Sequence, residues 1–586
     1  MTSPNSTSVI IVGGGPVGLT SSILLSLRGI PHLLFEKHAG TSIHPKACGI
    51  NQRTTEIFRV MGIEDEVYQH AAPSENAGRT AWYTSFGPSG REIVSRDAWG
   101  GGQYAEEYAG FSPSRYCMLP QIRLEPILKR RALELNPDGV FYNVEVLSVK
   151  EQGNGVDVQV HYKDTGRTST HRSRYVFIAD GGRRFTEELG AKWMGDADIL
   201  QMVTAHFTSP LHPHHPDHRN FITWFSNPKL GGSTRTGFLY QIGPWPAGQL
   251  EDQEWVFACA RSFDDPATFD KESMTQRLRR TLDIPDLPVQ MHTVSHWTVN
   301  AIYADKWRIG RCFLLGDSAH KIPPWGALGM NSGIQDAQNL VWKLEWALKD
   351  EAKYDGLLNT YEAERLEVGR RVGQTSLHNM LSHSMIMDQA VGFSGTQAVA
   401  QNEKALEALL DPAHARHAIV QEAVAKAQKI LDCEFKAPGL EIGWYYPSVD
   451  VGNEGGESHG GQRLPDGALN TEFYFPSTIP GHHVPHCNLK KSNDVVAIRD
   501  LILLDKLVLF VDGAAPPSLS DDRVQLIQIG EEEFEDEDGS WRRHSGIATG
   551  GGVLVRPDGI VAWRGDLKGF STDSWSTLID RVLHAQ

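Results

Sequence analysis

Hydrophobic residues follow different periods in different parts of this 586-residue chain. Near the N-terminus the apolar run Val9 to Val12 leads into a glycine-rich turn and an apolar segment of helical length, and a second apolar run covers 31–35. Short apolar strands separated by helices are typical of a parallel sheet covered on both faces. The first part of the chain therefore predicts an α/β fold with a Rossmann-like sheet.

The middle of the chain has a strand-like pattern without intervening helices. Apolar and aromatic residues alternate with polar ones in 201–207, 221–225, 236–242 and 254–260. This alternation predicts an antiparallel sheet. Helical composition returns between 396 and 432, and further strands are predicted beyond it, at 501–504, 507–511, 524–529, 552–555 and 560–564.

The turn after the first strand carries the pattern G-x-G-x-x-G between strand and helix, as dinucleotide-binding folds require. We expect Gly13 to make the tight turn, Gly15 to let the backbone approach a pyrophosphate, and Gly18 to allow close packing of helix on strand. Glu36 ends the next strand, about 20 residues on, where an acid binds the adenosine ribose. The first 36 residues thus predict half of a dinucleotide site.

A second nucleotide-type segment lies near residue 317. The apolar run 312–315 ends at Gly316 and Asp317, a loop rich in proline and glycine follows, and a helix is predicted from Gly329. A carboxylate at a strand end is well placed to accept hydrogen bonds from sugar hydroxyls, and a helix start offers backbone N–H groups. Because the two nucleotide segments must meet in space, residues between them form an insertion.

In these features and their order the chain resembles the FAD-dependent aromatic hydroxylases, which are single-component flavoprotein monooxygenases acting on phenols, chlorophenols and aromatic polyketides. The resemblance extends nearly to the C-terminus and rests on several segments: Gly13 to Gly18 with Glu36, His44 to Glu56, Leu119 to Gln121, Ala179 to Arg183, Asp317 to Asn331, Tyr361 to Arg365, and Val553 to Gly559.

The resemblance implies three structural units. An FAD-binding domain comprises 1–190 and 300–395, and a substrate-binding sheet domain comprises 191–299 with part of 71–118. A helical connection, 396–432, leads to a thioredoxin-like C-terminal domain, 433–586. That domain has no C-x-x-C pair and cannot perform dithiol chemistry.

The resemblance also implies which residues contact non-covalently bound FAD. They are Gly13, Gly15, Pro16, Gly18, Glu36, Lys46, Arg53, Gln121, Asp180, Asp317, Pro324, Gly329, Met330 and Asn331. Three positions depart from the family pattern: Lys46 replaces a common arginine, Cys48 replaces the acid that acts on the substrate hydroxyl in simple phenol hydroxylases, and Arg184 replaces a small residue after Asp180.

The implied activity is hydroxylation of a phenolic or polyketide-derived aromatic substrate, with NADPH or NADH as transient reductant, O₂ as oxygen source and a flavin C4a-hydroperoxide as oxidant. Alternatives are Baeyer–Villiger, epoxidising or ring-opening oxygenation, and a non-oxygenating FAD dehydrogenase or FAD-binding protein. Because the usual acid is missing, we expect Tyr240 of the predicted sheet, rather than His206 or Trp224, to act on the substrate oxygen beside Cys48.

Composition limits the partners. A formal net charge of −16 disfavours nucleic acid and anionic membranes. The six cysteines are widely spaced, and no cysteine or histidine spacing predicts a metal site. We expect a cytoplasmic homodimer. The pair Glu364 and Arg365 is predicted to lie on a helix surface or in packing, without a catalytic role.

Overall fold

A computed structural model of the protein describes residues 6–245, 253–261, 269–447, 457–530 and 533–585. The strands are β1 (Ser6–Val12), β2 (His32–Phe35), β3 (Gly49–Ile50), β4 (Arg79–Tyr83), β5 (Glu92–Asp97), β6 (Cys117–Met118), β7 (Val140–Phe141), β8 (Val144–Gln152), β9 (Gly155–Tyr162), β10 (Arg167–Ile178), β11 (Trp193–Thr208), β12 (Asn220–Phe225), β13 (Phe238–Gly243), β14 (Glu254–Arg261), β15 (Gln290–Ala304), β16 (Arg308–Ile309), β17 (Cys312–Leu314), β18 (His320–Lys321), β19 (Asn488–Lys491), β20 (Asp494–Ala497), β21 (Leu507–Asp512), β22 (Val524–Ile529), β23 (Gly551–Val555) and β24 (Val561–Asp566).

The helices are α1 (Pro16–Leu27), α2 (Gln52–Met61), α3 (Glu64–His70), α4 (Ala105–Ala109), α5 (Gln121–Leu135), α6 (Phe185–Glu188), α7 (Ser233–Thr236), α8 (Lys271–Leu282), α9 (Gly329–Lys349), α10 (Glu351–Val391), α11 (Val399–Leu410), α12 (His417–Ile430), α13 (Asp432–Phe435), α14 (Pro438–Glu441), α15 (Ser540–Ser545) and α16 (Thr572–Val582).

The first sheet joins the two nucleotide segments. Its strand order is β16-β17-β10-β1-β2-β7, with β8 and β9 beside β10. Strand β1 runs parallel to both β2 and β10, and β10 runs parallel to β17. The strands 6–12 and 312–314 therefore have their C-terminal ends on the same side of the sheet. The loops that follow the C-terminal ends of parallel strands commonly bind ligands. The mixed α/β fold predicted from the sequence is confirmed.

The second sheet has the order β18-β15-β11-β14-β13-β12-β4-β5. Its pairs are antiparallel as predicted, except that β4 and β12 are parallel. These two strands come from distant parts of the chain, so no hairpin turn imposes an antiparallel orientation on them. The apolar face toward α10 carries aromatic side chains from β4, β12 and β13.

Helix α10 connects the two sheets. It has 41 residues, which corresponds to a length of about 60 Å. Its N-terminal half packs on α9, and its C-terminal half covers the aromatic face of the second sheet together with α12. One long helix thus contacts both α9, which lies beside the first sheet, and the aromatic face of the second sheet.

The C-terminal region contains a four-stranded sheet in the order β22-β21-β23-β24. Strands β21 and β22 are parallel, and β23 and β24 form an antiparallel hairpin. The strand predicted at 501–504 is wrong: a 3₁₀ turn covers Ile498–Leu501. The preceding residues Arg499 and Asp500 pair with Glu56 and Arg59 of α2, which holds this segment against the FAD-binding region instead of a sheet.

All six cysteines are free thiols. In the described ranges, no helix is both long and apolar enough to cross a membrane, and no group of three or more His, Cys, Asp or Glu side chains is arranged to hold a metal ion. The domain boundaries implied by the resemblance stay predictions.

Candidate dinucleotide and substrate site

The glycine turn between β1 and α1 has the geometry that its sequence predicts. Gly13 has φ +108°, and a Cβ there would lie 2.3 Å from the Ala179 carbonyl oxygen. A Cβ on Gly18 would lie 2.0 Å from the Gly13 carbonyl oxygen. Gly15 differs, because a Cβ there would meet nothing within 4 Å. Gly13 and Gly18 are needed for packing, whereas Gly15 borders open space in front of the helix.

The N-terminus of α1 faces that open space without a capping side chain. Pro16 occupies its first turn, Gly15 is the N-cap residue, and the first turn contains no acid. Unpaired N–H groups and the positive end of the helix dipole make such a terminus an anion site. A pyrophosphate fits there.

Glu36 lies beside the same turn. Its Oε2 accepts a hydrogen bond from the Gly14 N–H at 2.7 Å, and its Oε1 accepts one from the His38 N–H at 2.8 Å. The parallel pairing of β2 with β1 places the ends of both strands side by side. Glu36 therefore lies next to the glycine turn, as the spacing between the glycines and this acid predicts.

Asp317 occupies the turn after β17. Its side chain is accessible to solvent, yet surrounding protein raises the pKa of its carboxyl by desolvation, against the opposing influence of His320, Lys46 and Lys321. A group that is accessible and also desolvated faces an internal space and not the outer surface. Lys46, which has φ +51° and an exposed side chain, lies close enough to affect this carboxylate.

The carboxylate of Asp180 accepts hydrogen bonds from neighbouring protein groups. One carboxylate oxygen accepts hydrogen bonds from the Ser318 hydroxyl at 2.8 Å and the Gly182 N–H at 3.0 Å. The other accepts from the N–H groups of Arg184 and Phe185 at 3.1 and 3.2 Å. Asp180 thereby fastens the start of α6 to the Asp317 turn, and its contact with a nucleotide stays a prediction.

The helix α9 begins at Gly329 without a capping side chain or an acid in its first turn. Asn331 lies in this first turn: its Oδ1 accepts a hydrogen bond from the Asn51 N–H at 3.1 Å, and its Nδ2 donates to the carbonyls of Gly49 at 2.9 Å and Ala327 at 2.6 Å. The amide of Asn331 thus clamps β3 to the loop before α9. Gly329 and Met330 are half-buried, and Pro324 is exposed.

Two residues that are predicted to contact FAD form side-chain hydrogen bonds with other groups of the protein. Arg53 is buried, and its guanidinium donates to Glu56 at 3.0 Å, to Gln338 at 2.8 Å and to the carbonyl of Asp558. Gln121 donates through Nε2 to the Glu125 carboxylate at 2.5 Å. The Arg53 guanidinium is therefore directed toward the C-terminal region, and its role at FAD stays a prediction.

The two candidate catalytic residues are neighbours. The Tyr240 hydroxyl donates to the Lys46 carbonyl at 3.4 Å, and Cys48 lies close enough to influence the Tyr240 hydroxyl electrostatically. Desolvation raises the pKa of Cys48 to about 12 and raises that of Tyr240 well above its ordinary value. Both groups are therefore neutral at physiological pH, so Tyr240 can donate a hydrogen bond but does not act as a base.

Behind Tyr240 lies an aromatic chamber, by which we mean the apolar cluster between the second sheet and α10. The Tyr240 ring packs 6.2 Å from Phe238, which lies 4.6 Å from Trp224. His206 faces Glu254, with 2.7 Å between Nε2 and Oε2. Further members of the chamber are Trp82, Trp99, Met118, Met202, Phe221, Trp325, Met380 and Met387.

A buried ion network behind the Asp317 turn was not predicted. Asp336 of α9 accepts hydrogen bonds from the Gly316 N–H at 3.1 Å, His320 Nε2 at 2.8 Å and Arg365 Nε at 2.8 Å. Although burial opposes ionisation, Arg365 and His320 lower the pKa of Asp336. An acid between apolar residues, Ile334 and Ala337, near the start of α9 was the signal available in the sequence. Asp336 positions the backbone that carries Asp317.

The same network reaches the C-terminal sheet. Glu364 accepts two hydrogen bonds from Arg556 at 2.7 and 2.8 Å and one each from Lys343 and Asn339 at 2.7 Å. Arg556 also donates to Asp558 at 3.0 Å. Glu364 and Arg365 are 2% and 0% exposed, so the expectation of a helix-surface pair is wrong, whereas packing is confirmed.

Two family models match this chain. Residues 6–376 match the family described as FAD binding domain, and residues 477–585 match the family described as aromatic-ring hydroxylase, C-terminal. Phenol 2-monooxygenase of Pseudomonas sp. strain EST1001 is 30% identical, over 95% of this chain and 90% of that protein. Tetracenomycin B2 monooxygenase-dioxygenase of Streptomyces olivaceus is 27% identical, over 98% and 97%.

Solved structures show the same relationship. The flavin-dependent monooxygenase PieE, crystallised with FAD and substrate, superposes with a TM-score of 0.91 at 30% identity, and each chain is covered completely.

Proposed function

Because the chain belongs to the family of FAD-dependent aromatic-ring hydroxylases, we propose that it uses NAD(P)H and O₂ to hydroxylate a phenolic or polyketide-derived aromatic substrate. The observation that supports this most is the aromatic chamber beside Tyr240, next to the segment 46–49 that borders the dinucleotide site. FAD, when bound, would accept electrons from the nicotinamide and activate oxygen. The protein residues bind and orient the substrate and exclude water from it.

The residues proposed to hold FAD divide by the part of the cofactor they face. The glycine turn, the start of α1 and Glu36 suit the pyrophosphate and adenosine ribose, and Asp317 with Lys46 suits the flavin side. The uncapped start of α9 would place positive potential at the isoalloxazine ring. The predicted contacts of Arg53 and Gln121 would come from the first turns of α2 and α5, and those of Asp180 and Pro324 from loops.

The chamber favours a substrate with several fused rings. Its buried members include four tryptophans and several methionines, whose side chains offer broad, adaptable apolar surfaces for flat molecules. Relatives that act on phenols and on tetracenomycins span both size classes. We infer a phenol within a polycyclic skeleton. The thioredoxin-like character of the C-terminal domain and the homodimer remain part of this proposal.

The test of the reaction is oxygen labelling. Purified holoenzyme supplied with NADPH or NADH, ¹⁸O₂ and a panel of phenols and hydroxyanthraquinones should place one ¹⁸O atom on a ring carbon of a product. Mass-spectrometric fragmentation distinguishes a new hydroxyl from an inserted ester oxygen or an opened ring, the products of the alternative reactions. Label derived from water, or hydrogen peroxide as the sole product, would contradict monooxygenation.

We propose that Tyr240 donates a hydrogen bond to the substrate oxygen. A donor to an ionised oxygen contributes about 1.5–3 kcal/mol, so Tyr240→Phe should lower kcat/KM about tenfold to a hundredfold. Because the hydroxyl stays protonated, the loss should be equal across neutral pH. Tyr83→Phe is the control: Tyr83 lies on β4, on the opposite face, and donates to Glu92 at 2.6 Å. Equal losses in both variants would remove Tyr240 from the mechanism.

A further inference from the structure

A buried histidine–carboxylate pair lies in the C-terminal half of α10. His383 Nδ1 is 2.9 Å from Oε2 of Glu434 in α13, and the two residues are 3% and 5% exposed. With Glu434 ionised and the imidazole neutral, this distance requires the proton on Nδ1, which leaves a lone pair on Nε2. Nε2 is buried and has no hydrogen-bond partner within the described residues.

The imidazole of His383 packs against two indoles. Trp82 and Trp224 face each other in register on β4 and β12, and their rings lie 5.5 and 3.8 Å from His383. Their Nε1–H groups are likewise buried without partners in the part of the chain that the structure describes. Each unpaired buried polar group costs about 1–3 kcal/mol. Two donors and one acceptor on three touching rings suit a ligand that carries both hydroxyl and carbonyl oxygens.

This stack continues to the proposed substrate position. From His383 the ring contacts run through Trp224 and Phe238 to Tyr240. One turn before His383, the Asn379 amide nitrogen lies 3.2 Å from the place of a Cβ on Gly326, in the loop that leads to α9. The pair therefore borders the same chamber as Tyr240 and the α9 loop.

We propose that His383 is the base that accepts the proton of a substrate hydroxyl other than the oxygen bound by Tyr240, with Glu434 orienting the ring. The proposal rests on the proposed function. The substrate O–H bond breaks and an N–H bond forms at Nε2, while the electron pair stays on oxygen as phenolate. The Nδ1–H remains bonded to Glu434, whose charge stabilises the imidazolium. The proton returns to an oxygen of the product before release.

Charged groups around the ring favour this step. Asp388, on α10, lies close enough to interact electrostatically with His383, and its carboxylate accepts from the Ser233 N–H. Arg96 of β5 lies beyond the Phe435 ring and pairs with Asp432 at 2.5 Å, so its charge is offset. Glu434 and Asp388 thus both interact with the imidazole, and burial raises the pKa of the Asp388 carboxyl.

A competing base exists in the neighbourhood. Burial raises the pKa of Glu441 to about 7, and its carboxyl lies near the hydroxyls of Tyr108 and Tyr116. Tyr116 borders the flavin segment, because a Cβ on Gly49 would lie 2.6 Å from its hydroxyl. Because the imidazole of His383 stacks on the indoles of Trp82 and Trp224, we assign the proton to His383 and use Glu441 as a comparison.

The test measures the ionisation of a bound dye without turnover. Alizarin, a dihydroxyanthraquinone whose colour changes on deprotonation, is titrated with oxidised holoenzyme across pH, without NAD(P)H. The wild-type complex should ionise at least about one pH unit below the free dye. His383→Asn, which keeps a donor for Glu434 but removes Nε2, should abolish this shift, and Glu434→Gln should reduce it. His378→Asn, an exposed histidine of the same helix, should not change it.

FAD content and thermal unfolding of each variant confirm that the fold is retained. An unchanged shift in His383→Asn, or a shift lost only in Glu441→Gln, would overturn the proposal. Failure of the wild-type holoenzyme to bind the dye would contradict the placement of the pair in a substrate chamber. Because no turnover is involved, the proposed monooxygenation can fail in the labelling experiment while this result stands.

Discussion

Replacing Glu364 by alanine is expected to lower the free energy of unfolding by about 3–5 kcal/mol, because it leaves two buried cations without their carboxylate. Arg556 and Lys343 both donate to Glu364, and the three residues are at most 4% exposed. Taking one partner from a buried network costs more than the network contributes as a whole. Glu364→Gln should be milder, since the amide oxygen still accepts a hydrogen bond.

Thermal or urea unfolding followed by circular dichroism measures this difference. Glu367→Ala is the matched control, because Glu367 lies one turn away on α10 and pairs with Arg370 and Arg371 at a partly exposed position. Such pairs contribute about 0.3–0.5 kcal/mol. Equal stability losses in the two variants would show that the buried Glu364 network contributes no more to the free energy of unfolding than a partly exposed ion pair does.

Gly15→Ala is expected to leave the apoprotein folded and to weaken FAD binding at least about tenfold, which corresponds to roughly 1.4 kcal/mol. Gly15 has φ −77° and ψ −175°, which alanine adopts freely, and its Cβ would meet no atom of the protein. The added methyl group would instead occupy the open space before α1, where a pyrophosphate approaches the backbone.

Gly13→Ala is the contrasting variant. Its Cβ would clash with the Ala179 carbonyl oxygen, and its positive φ is unfavourable for alanine, so the protein itself should be destabilised. FAD affinity is measured by fluorescence titration of apoprotein, and folding by circular dichroism. Normal FAD affinity in folded Gly15→Ala would contradict the placement of the pyrophosphate at this turn.

The sequence predicted local features of the site well. The contact between Glu36 and the glycine turn follows from two adjacent strands, and the position of Asp317 follows from a strand end. Both depend on spacing within one segment and on the regular geometry of parallel sheets. The neighbourhood of Tyr240 and Cys48, 192 positions apart, came from family resemblance and not from any local pattern.

Contacts between distant segments could not be predicted. Arg556 lies 192 positions after Glu364, and nothing in either segment specifies the other as its partner. Arg53 shows the same limit, since its place in a nucleotide-associated motif did not reveal that its guanidinium is directed toward Asp558. The apolar run 501–504 has strand composition, but tertiary ion pairs of its neighbours override that local preference.

The Glu364 network also restricts how relatives of this protein can exchange parts. A C-terminal segment transferred by recombination would bring Arg556 and Asp558 but would depend on the recipient for Glu364 and Lys343. A recipient lacking Glu364 would leave Arg556 without the carboxylate that accepts two of its hydrogen bonds. We therefore expect covariation between these positions across homologues, and functional chimeras only where both halves of the charge pattern are inherited together.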